Sequence, residues 1–321
     1  MTTFGYKLMT EEHGPHALVE QASNAEKSGF DFLAISDHFH PWIEKEGHAC
    51  FVWTVLGAIA GATESARLMT AVTCPILRYH PAIVAQAAAT MAILSNGRFS
   101  LGLGSGEQLN EHVVGRGWPC ADVRHEMLVE AVEAMRELWK GGMQSYRGLH
   151  VTVEDAKIYD LPDEPPAVVI AVGGNRAARL AAEHGDGMIT TVPSSDWIGK
   201  YREAGGEGPL YVEAGLCWGP SEDEAAETAH TYGRWSALGS FKVLAELPNV
   251  ANFEDASERI SPDDMKQSLP CGPDVDKHVE AIREYIDAGF DHVCLHQVGP
   301  DQEGFLRFWR EELGPGLRDL R

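Results

Sequence analysis

The chain lacks the marks of several protein classes. It has no C-x-x-C pair: its six cysteines, Cys50, Cys74, Cys120, Cys217, Cys271 and Cys294, are scattered singly. Neither a zinc site nor a disulfide framework is written in that spacing, so a reducing cytoplasm is the expected compartment. No stretch reaches the roughly 18 uninterrupted apolar residues of a membrane span. The opening MTTFGYKLMTEEHG carries no basic region followed by an apolar run, so no signal peptide is read there and a soluble protein is expected. Basic residues are scarce, 26 Lys and Arg against 48 Asp and Glu, for a formal charge of −22. Such a balance excludes the basic footprint of a nucleic-acid binder and disfavours anionic membrane surfaces. A solvated acidic surface accounts for it, with adaptation to salt as a second reading. There is no internal repeat, low-complexity tract or linker. A G-x-G-x-x-G after the first β-rich run is also missing, which counts against a doubly wound dinucleotide-binding sheet.

What is present alternates between two periods. With 44% apolar and 23% charged residues, the 321-residue chain is of ordinary globular composition. Short β-rich runs fall at residues 3–9, 31–36, 68–74, 98–104, 167–172, 186–191, 210–217 and 290–296. Near-continuous apolar runs such as Val168-Val169-Ile170-Ala171-Val172 suit parallel strands buried on both faces. Between most of them the pattern is helical. In 124–140, Leu128, Ala131, Val132, Met135, Leu138 and Trp139 recur at steps of three and four, with Glu130, Glu133 and Arg136 opposite. Eight strands alternating with helices predict an α/β fold, a (β/α)8 TIM barrel formed by one domain over residues 1–321. Three segments exceed a minimal barrel: 39–51, a hairpin-like excursion at 143–160, and a long, weakly periodic stretch at 237–272. Loops that follow barrel strands build the catalytic face, which places 39–51 there.

Candidate chemistry gathers at strand ends. Ser36-Asp37-His38-Phe39-His40-Pro41-Trp42 follows the second run and offers an acid, a base and an aromatic platform. His38 is placed to take a proton from a substrate hydroxyl, its acidity tuned by neighbours such as Asp37. A loop histidine that merely satisfies backbone groups is the competing reading, and it weighs more on His40. An H-x-H pair after a barrel strand can also hold zinc, but the later strands supply no further ligands, and no metal is expected. The fourth run ends in Gly102-Leu103-Gly104-Ser105-Gly106-Glu107-Gln108-Leu109-Asn110-Glu111. Three glycines there leave room for backbone to approach a flat ligand, with Glu107 beside them as a proton donor or acceptor. The fifth run ends in Gly173-Gly174-Asn175-Arg176 at a helix start, either an anion site or a plain tight turn.

Together these segments resemble one family. Ser-Asp-His-Phe-x-Pro-Trp at 36–42, Gly-His-Ala at 47–49, Arg78-Tyr79 with Pro81, the glycine motif at 102–111 and Gly-Asp-Gly at 185–187 are similar to the deazaflavin (coenzyme F420)-dependent glucose-6-phosphate dehydrogenases of the luciferase-like superfamily. The similarity runs from about Gly5 to the C-terminal helix, where His296, Gly299, Asp301-Gln302 and Phe305-Leu306 also match. The resemblance implies F420 as hydride acceptor and a sugar, sugar 6-phosphate or alcohol as substrate, with C1 oxidation giving a lactone. It implies His38 as catalytic base, Trp42 against the ring, Glu107 near the deazaflavin nitrogen, and Glu11 completing the polar wall. Asp37, Gly106 and Asn110 would lie at the ring. Ala71–Val72 would supply a non-prolyl cis peptide behind it, and Gly173, Gly174 and Thr191 would surround the cofactor's phosphate and tail, where the helix-start reading adds Arg176 as an anion donor. A homodimer is expected by the same analogy.

The resemblance breaks at the sugar phosphate. Where that family uses two lysines and an arginine, this chain aligns Ser194, Gln267 (beside Lys266) and Asp291. Glucose 6-phosphate is therefore expected to bind less well, unless Lys200 or Lys266 takes over as anchor. An F420-dependent secondary alcohol dehydrogenase and an FMN-dependent luciferase-like monooxygenase stand as alternatives. The pair His38 and Glu107 counts against a binding-only protein.

Overall fold

A computed structural model describes residues 2–239 and 241–317. Ten strands are formed: β1 (Thr3–Leu8), β2 (Phe32–Ile35), β3 (Arg67–Thr70), β4 (Phe99–Leu103), β5 (Gln144–Arg147), β6 (Thr152–Ala156), β7 (Ala167–Ala171), β8 (Gly187–Thr190), β9 (Leu210–Leu216) and β10 (His292–Gln297). Eight of them close a parallel barrel in the order β1-β2-β3-β4-β7-β8-β9-β10, with β10 pairing back on β1. These are the eight runs legible in the sequence. No helix among the described residues is long and apolar enough to cross a membrane.

Strand alternation divides the core in two. On β1, Phe4, Tyr6 and Leu8 point outward to the helices, where Tyr6 packs on Phe30 at 5.5 Å and on Phe305 at 6.2 Å. Lys7, at the opposite parity, points into the barrel. The barrel interior is filled lower down by Phe32, Ala34, Met69, Val169, Ile189, Tyr211 and Cys294. The helix Ala121–Trp139 buries Leu128, Ala131, Val132, Met135, Leu138 and Trp139, the stripe its spacing predicts. Burial of each larger side chain in that stripe contributes about 1.5–3 kcal/mol.

The glycines within and just after β4 serve the barrel itself. A Cβ on Gly102 would lie 1.8 Å from the Thr70 carbonyl oxygen, and one on Gly104 2.7 Å from Val72 Cγ2. Gly106 has φ +78°, and a Cβ there would meet Glu111 Cγ at 2.9 Å. These glycines therefore let neighbouring strands and the following turn approach one another, a packing reason for them beside the expected room for a flat ligand.

The 143–160 excursion is an antiparallel hairpin, β5 with β6. It is tied down by Glu130, whose carboxylate accepts from the backbone N–H of Leu149, His150 and Val151. The 237–272 stretch holds three short helices, Phe241–Glu246, Val250–Ser257 and Pro262–Ser268. At six to eight residues each, they are too short to show a period in sequence.

Candidate active site

Three strand ends converge on His38. Thr10 and Glu11 follow β1, Ser36 to His38 follow β2, and Glu107 follows β4. The Thr10 backbone N–H donates to Ser36 Oγ at 3.0 Å, and the Ser36 hydroxyl donates to the Glu11 carboxylate. Glu11 Oε1 then lies 3.2 Å from His38 Nδ1, inside ion-pair reach but off the line of a hydrogen bond. On the other edge of the ring, Glu107 Oε2 is 3.5 Å from Nε2. The Trp42 ring leans on the imidazole with centroids 4.8 Å apart and planes at 57°. Burial pushes the Glu11 carboxyl upward, but His38, the Ser36 hydroxyl and the Lys7 ammonium together hold it below its ordinary value. Glu11 is thus charged and fully enclosed, while Glu107 remains a third exposed.

Behind this centre stands a layer of side chains that fixes it. Asp37 accepts from Thr73 Oγ1 at 2.7 Å, Arg78 Nη2 at 3.0 Å and Tyr79 Oη at 3.1 Å, so both its oxygens are committed. Arg78 also donates to Glu111, from its backbone N–H at 2.9 Å. Burial and then the charge of Asp37 raise the Tyr79 phenol, which therefore stays a donor. Asn110 joins two loops: its Oδ1 accepts from the Phe39 and His40 N–H at 2.8 and 3.2 Å, and its Nδ2 donates to Glu107 Oε2 at 3.2 Å. His40 is a backbone-satisfied loop histidine, with Nδ1 3.0 Å from the Leu109 carbonyl.

Two groups escaped the sequence reading. The first is the upper barrel interior, where Lys7 binds the Glu213 carboxylate and the Ala71 carbonyl. His296 bridges Glu213 at 3.6 Å and Glu12 at 3.3 Å. Burial lowers the Lys7 pKa, but Glu213 outweighs it and keeps the ammonium above its ordinary value. A charged residue at the inward parity of an apolar strand was the available signal, at Lys7 and again at Glu213. The second is Glu46, buried in the 39–51 loop and bonded to Trp42, Ile43 and Trp235. Burial, reinforced by the charges of Glu11 and Glu12, pushes its carboxyl well above the usual range despite those three N–H donors. Nothing in the local sequence distinguishes it from a surface glutamate.

A family model described as luciferase-like monooxygenase matches residues 1–292. The chain belongs to the luciferase-like family. Among curated relatives, it is 37% identical over 335 residues to an F420-dependent glucose-6-phosphate dehydrogenase of Amycolatopsis mediterranei, covering 100% of both chains. To the enzyme of the same name from Microbacterium testaceum it is 35% identical, covering 98% of this chain and 97% of the relative. Among solved structures, an F420-dependent secondary alcohol dehydrogenase in complex with an F420-acetone adduct superposes with a TM-score of 0.91 at 30% identity, covering 99% of each chain.

In this luciferase-like barrel the remaining expected site residues divide by position. The Ala71–Val72 peptide bond is cis, as the resemblance implied. Gly173 and Gly174 follow β7, and Thr191 and Ser194 follow β8, all on the face that carries His38. Ser194 caps the helix Ser195–Glu203 by accepting from the Trp197 N–H. A Cβ on Gly174 would meet nothing within 4 Å, nor would one on Gly215, which shares the inward parity of Glu213. That open space and the amide-bearing start of the helix Asn175–His184 fit a flat, anionic-tailed cofactor.

Three assignments need correction. Asp291 precedes β10 and so sits at the opposite end of the barrel from His38, where it accepts from the Leu210 N–H at 2.9 Å and contacts His292 Nδ1 at 2.6 Å. A residue at the start of a barrel strand stabilises the lower rim and does not reach a substrate at the mouth. Arg176 stands at the helix start as expected, but its guanidinium pairs with Asp122. Lys266 is held by Asp223 at 2.7 Å and Asp263 at 3.2 Å, with Gln267 exposed on the same short helix. Both cations already have carboxylate partners at the surface.

Proposed function

We propose that this chain is an F420-dependent dehydrogenase that oxidises the CH–OH group of a sugar, sugar phosphate or other alcohol. The observation that carries the reading is the His38 imidazole suspended between Glu11 and Glu107 at the barrel mouth. The bound deazaflavin supplies a two-electron hydride acceptor.

The chain's own groups handle the proton and the geometry. Loss of hydride from a carbinol requires that the hydroxyl proton leave at about the same time, and a neutral imidazole takes it. The imidazolium so formed lies between two carboxylates, which stabilise it without having to reorganise. Glu11, enclosed and charged, orients the ring, while Glu107, partly open and tethered by Asn110, is the group placed to hold or release a proton on the cofactor side. Trp42 covers the imidazole and keeps water from it. Gly173, Gly174 and Thr191 are proposed to border the cofactor tail, and Asp37 to brace the ring side through its fixed carboxylate.

Two further parts of the reading concern assembly and compartment. The helices Val52–Ala62 and Pro81–Leu94 carry no charged residue, in a chain of −22. They lie side by side and expose Ala58, Gly61, Ile83, Ile93 and Leu94. Repulsion between two copies of net charge −22 is least at such an uncharged face, which supports a homodimer built there. Six free cysteines fit a reducing cytoplasm.

The test is loss of F420 visible absorbance on adding substrate without oxygen uptake. Oxygen consumption with FMN in its place would instead favour the monooxygenase chemistry named in the family's description.

A further inference from the structure

The dehydrogenase reading uses His38, Glu11, Glu107 and Trp42 but leaves the buried carboxyl beside them without a task. Glu46 is 3% exposed although it lies in a loop at the mouth. Its Oε2 accepts from the Trp42 N–H at 2.6 Å and the Ile43 N–H at 3.2 Å, and its Oε1 accepts from the Trp235 indole N–H at 2.8 Å. The rings of Trp42 and Trp235 stack at 4.3 Å and 17°, and Phe253 closes edge-on against Trp42 at 5.0 Å and 71°. The same Trp42 ring touches His38. Three elements distant in sequence therefore meet on one indole: the loop after β2, the turn 234–238 and the helix Val250–Ser257.

Stacking alone does not fix such a wall, because offset rings slide over one another at little cost. A carboxyl that takes the backbone of one tryptophan and the indole N–H of the other sets their register. Burying it is unfavourable, and an apolar residue would fill the volume at lower cost, so what it adds is position. A second tie runs between the same segments at the surface, where the Glu44 N–H donates to Glu254 and Arg234 pairs with Glu254. That tie joins the elements but touches neither indole.

We propose that Glu46 is a positioning residue that locks the Trp42–Trp235 wall beside His38 and so sets how tightly an alcohol substrate is held there. The kinetic consequence rests on the dehydrogenase reading; the aromatic geometry does not.

The experiment uses the full chain with Glu46→Gln. A glutamine keeps one acceptor oxygen and turns an amide N–H2 toward the other donors, so it satisfies Trp235 or the Trp42 backbone, never both. Without cofactor, the variant's tryptophan emission should shift to the red and become more open to acrylamide quenching. In turnover, KM for the alcohol should rise about tenfold, the weight of one lost buried hydrogen bond, with kcat within about threefold. Trp235→Phe keeps a stacked ring and removes only the N–H, and should raise KM in the same way. Since both changes break one bond, the double variant should be no worse than the worse single one. Wild-type emission and KM in Glu46→Gln, or effects that multiply in the double variant, would overturn the proposal. Should Glu46→Gln not fold, an unchanged KM in Trp235→Phe overturns it alone. If the wild-type chain reduces F420 with no alcohol or sugar, the dehydrogenase reading falls, and the emission shift still decides what Glu46 does.

Discussion

Glu11 and Glu107 hold the His38 ring by opposite edges, 3.2 Å from Nδ1 and 3.5 Å from Nε2. One carboxylate is enclosed and charged and the other is open to the mouth, so the imidazole is fixed on one side and able to pass a proton on the other. His38→Ala removes the ring between them. Turnover should fall by about 10²–10⁴-fold, the usual weight of a general base, with the fold unchanged by circular dichroism. Activity within about threefold of wild type would take His38 out of the mechanism.

Glu107 is bonded to Asn110, which also holds the backbone of Phe39 and His40. Its position is therefore set by the same amide that sets the His38 loop. Glu107→Gln keeps an oxygen for the contact to Asn110 and cannot exchange a proton, so kcat should drop while KM for the alcohol stays near wild type. Steady-state kinetics separate the two, and unchanged kcat with raised KM would move Glu107 to the substrate side.

Much of this was legible in the residues. The eight strands were found because parallel strands buried on both faces are apolar throughout, and the meeting of His38 with Glu107 because barrel strand ends share one face. Asp291 was misassigned because an ungapped match ignores which end of a strand a residue occupies. The glycines of 102–106 were read only as ligand space, since sequence does not show that the Thr70 carbonyl lies where a Cβ would go. The pairings of Glu46 and of the Glu12–His296–Glu213–Lys7 set were not legible for a different reason: their partners are supplied by strands and loops far away in the chain.

Glu11 gives the acid limb of stability a specific cause. Its folded pKa lies below the ordinary 4.5, so its contribution is fully present above that value and is lost as pH falls through the folded pKa. Glu11→Gln should be less stable than wild type at pH 7, and the gap should narrow below about pH 4.5. Urea unfolding at a series of pH values measures it. A gap that stays constant down to pH 3 would mean that the carboxylate charge contributes nothing.

The uncharged helix face makes a separate claim. Ala58 is exposed on Val52–Ala62, so a glutamate there costs the folded chain little but sets two like charges against each other across a twofold interface. Sedimentation should show wild type at twice the chain mass and Ala58→Glu at the chain mass. A wild-type monomer, or an Ala58→Glu dimer, would place the contact elsewhere or remove it.

The substrate prediction follows from where the cations are. Among the described residues, Lys7 is matched to Glu213, Arg78 to Asp37 and Glu111, Arg234 to Glu254, Arg176 to Asp122 and Lys266 to Asp223 and Asp263. Around them the mouth presents Glu11, Glu12, Glu107 and Glu213. A phosphate dianion entering there would find the enclosed Lys7 and Arg78 already matched and would compete with carboxylates for Arg176 and Lys266. Two missing charge-assisted bonds forfeit roughly 3–6 kcal/mol, or about 10²–10⁴-fold in affinity. A neutral alcohol meets no such penalty: in the proposed reaction its hydroxyl needs only His38, and its carbon skeleton would rest on Trp42. Glucose 6-phosphate should therefore show a higher KM than a neutral sugar or secondary alcohol, and inorganic phosphate should not compete with either. Steady-state kinetics with glucose 6-phosphate, glucose and 2-propanol decide the matter. A low-micromolar KM for glucose 6-phosphate with the neutral compounds inert would show that a cation does take the phosphate, either from one of these pairs or from the exposed Lys45 of the mouth loop.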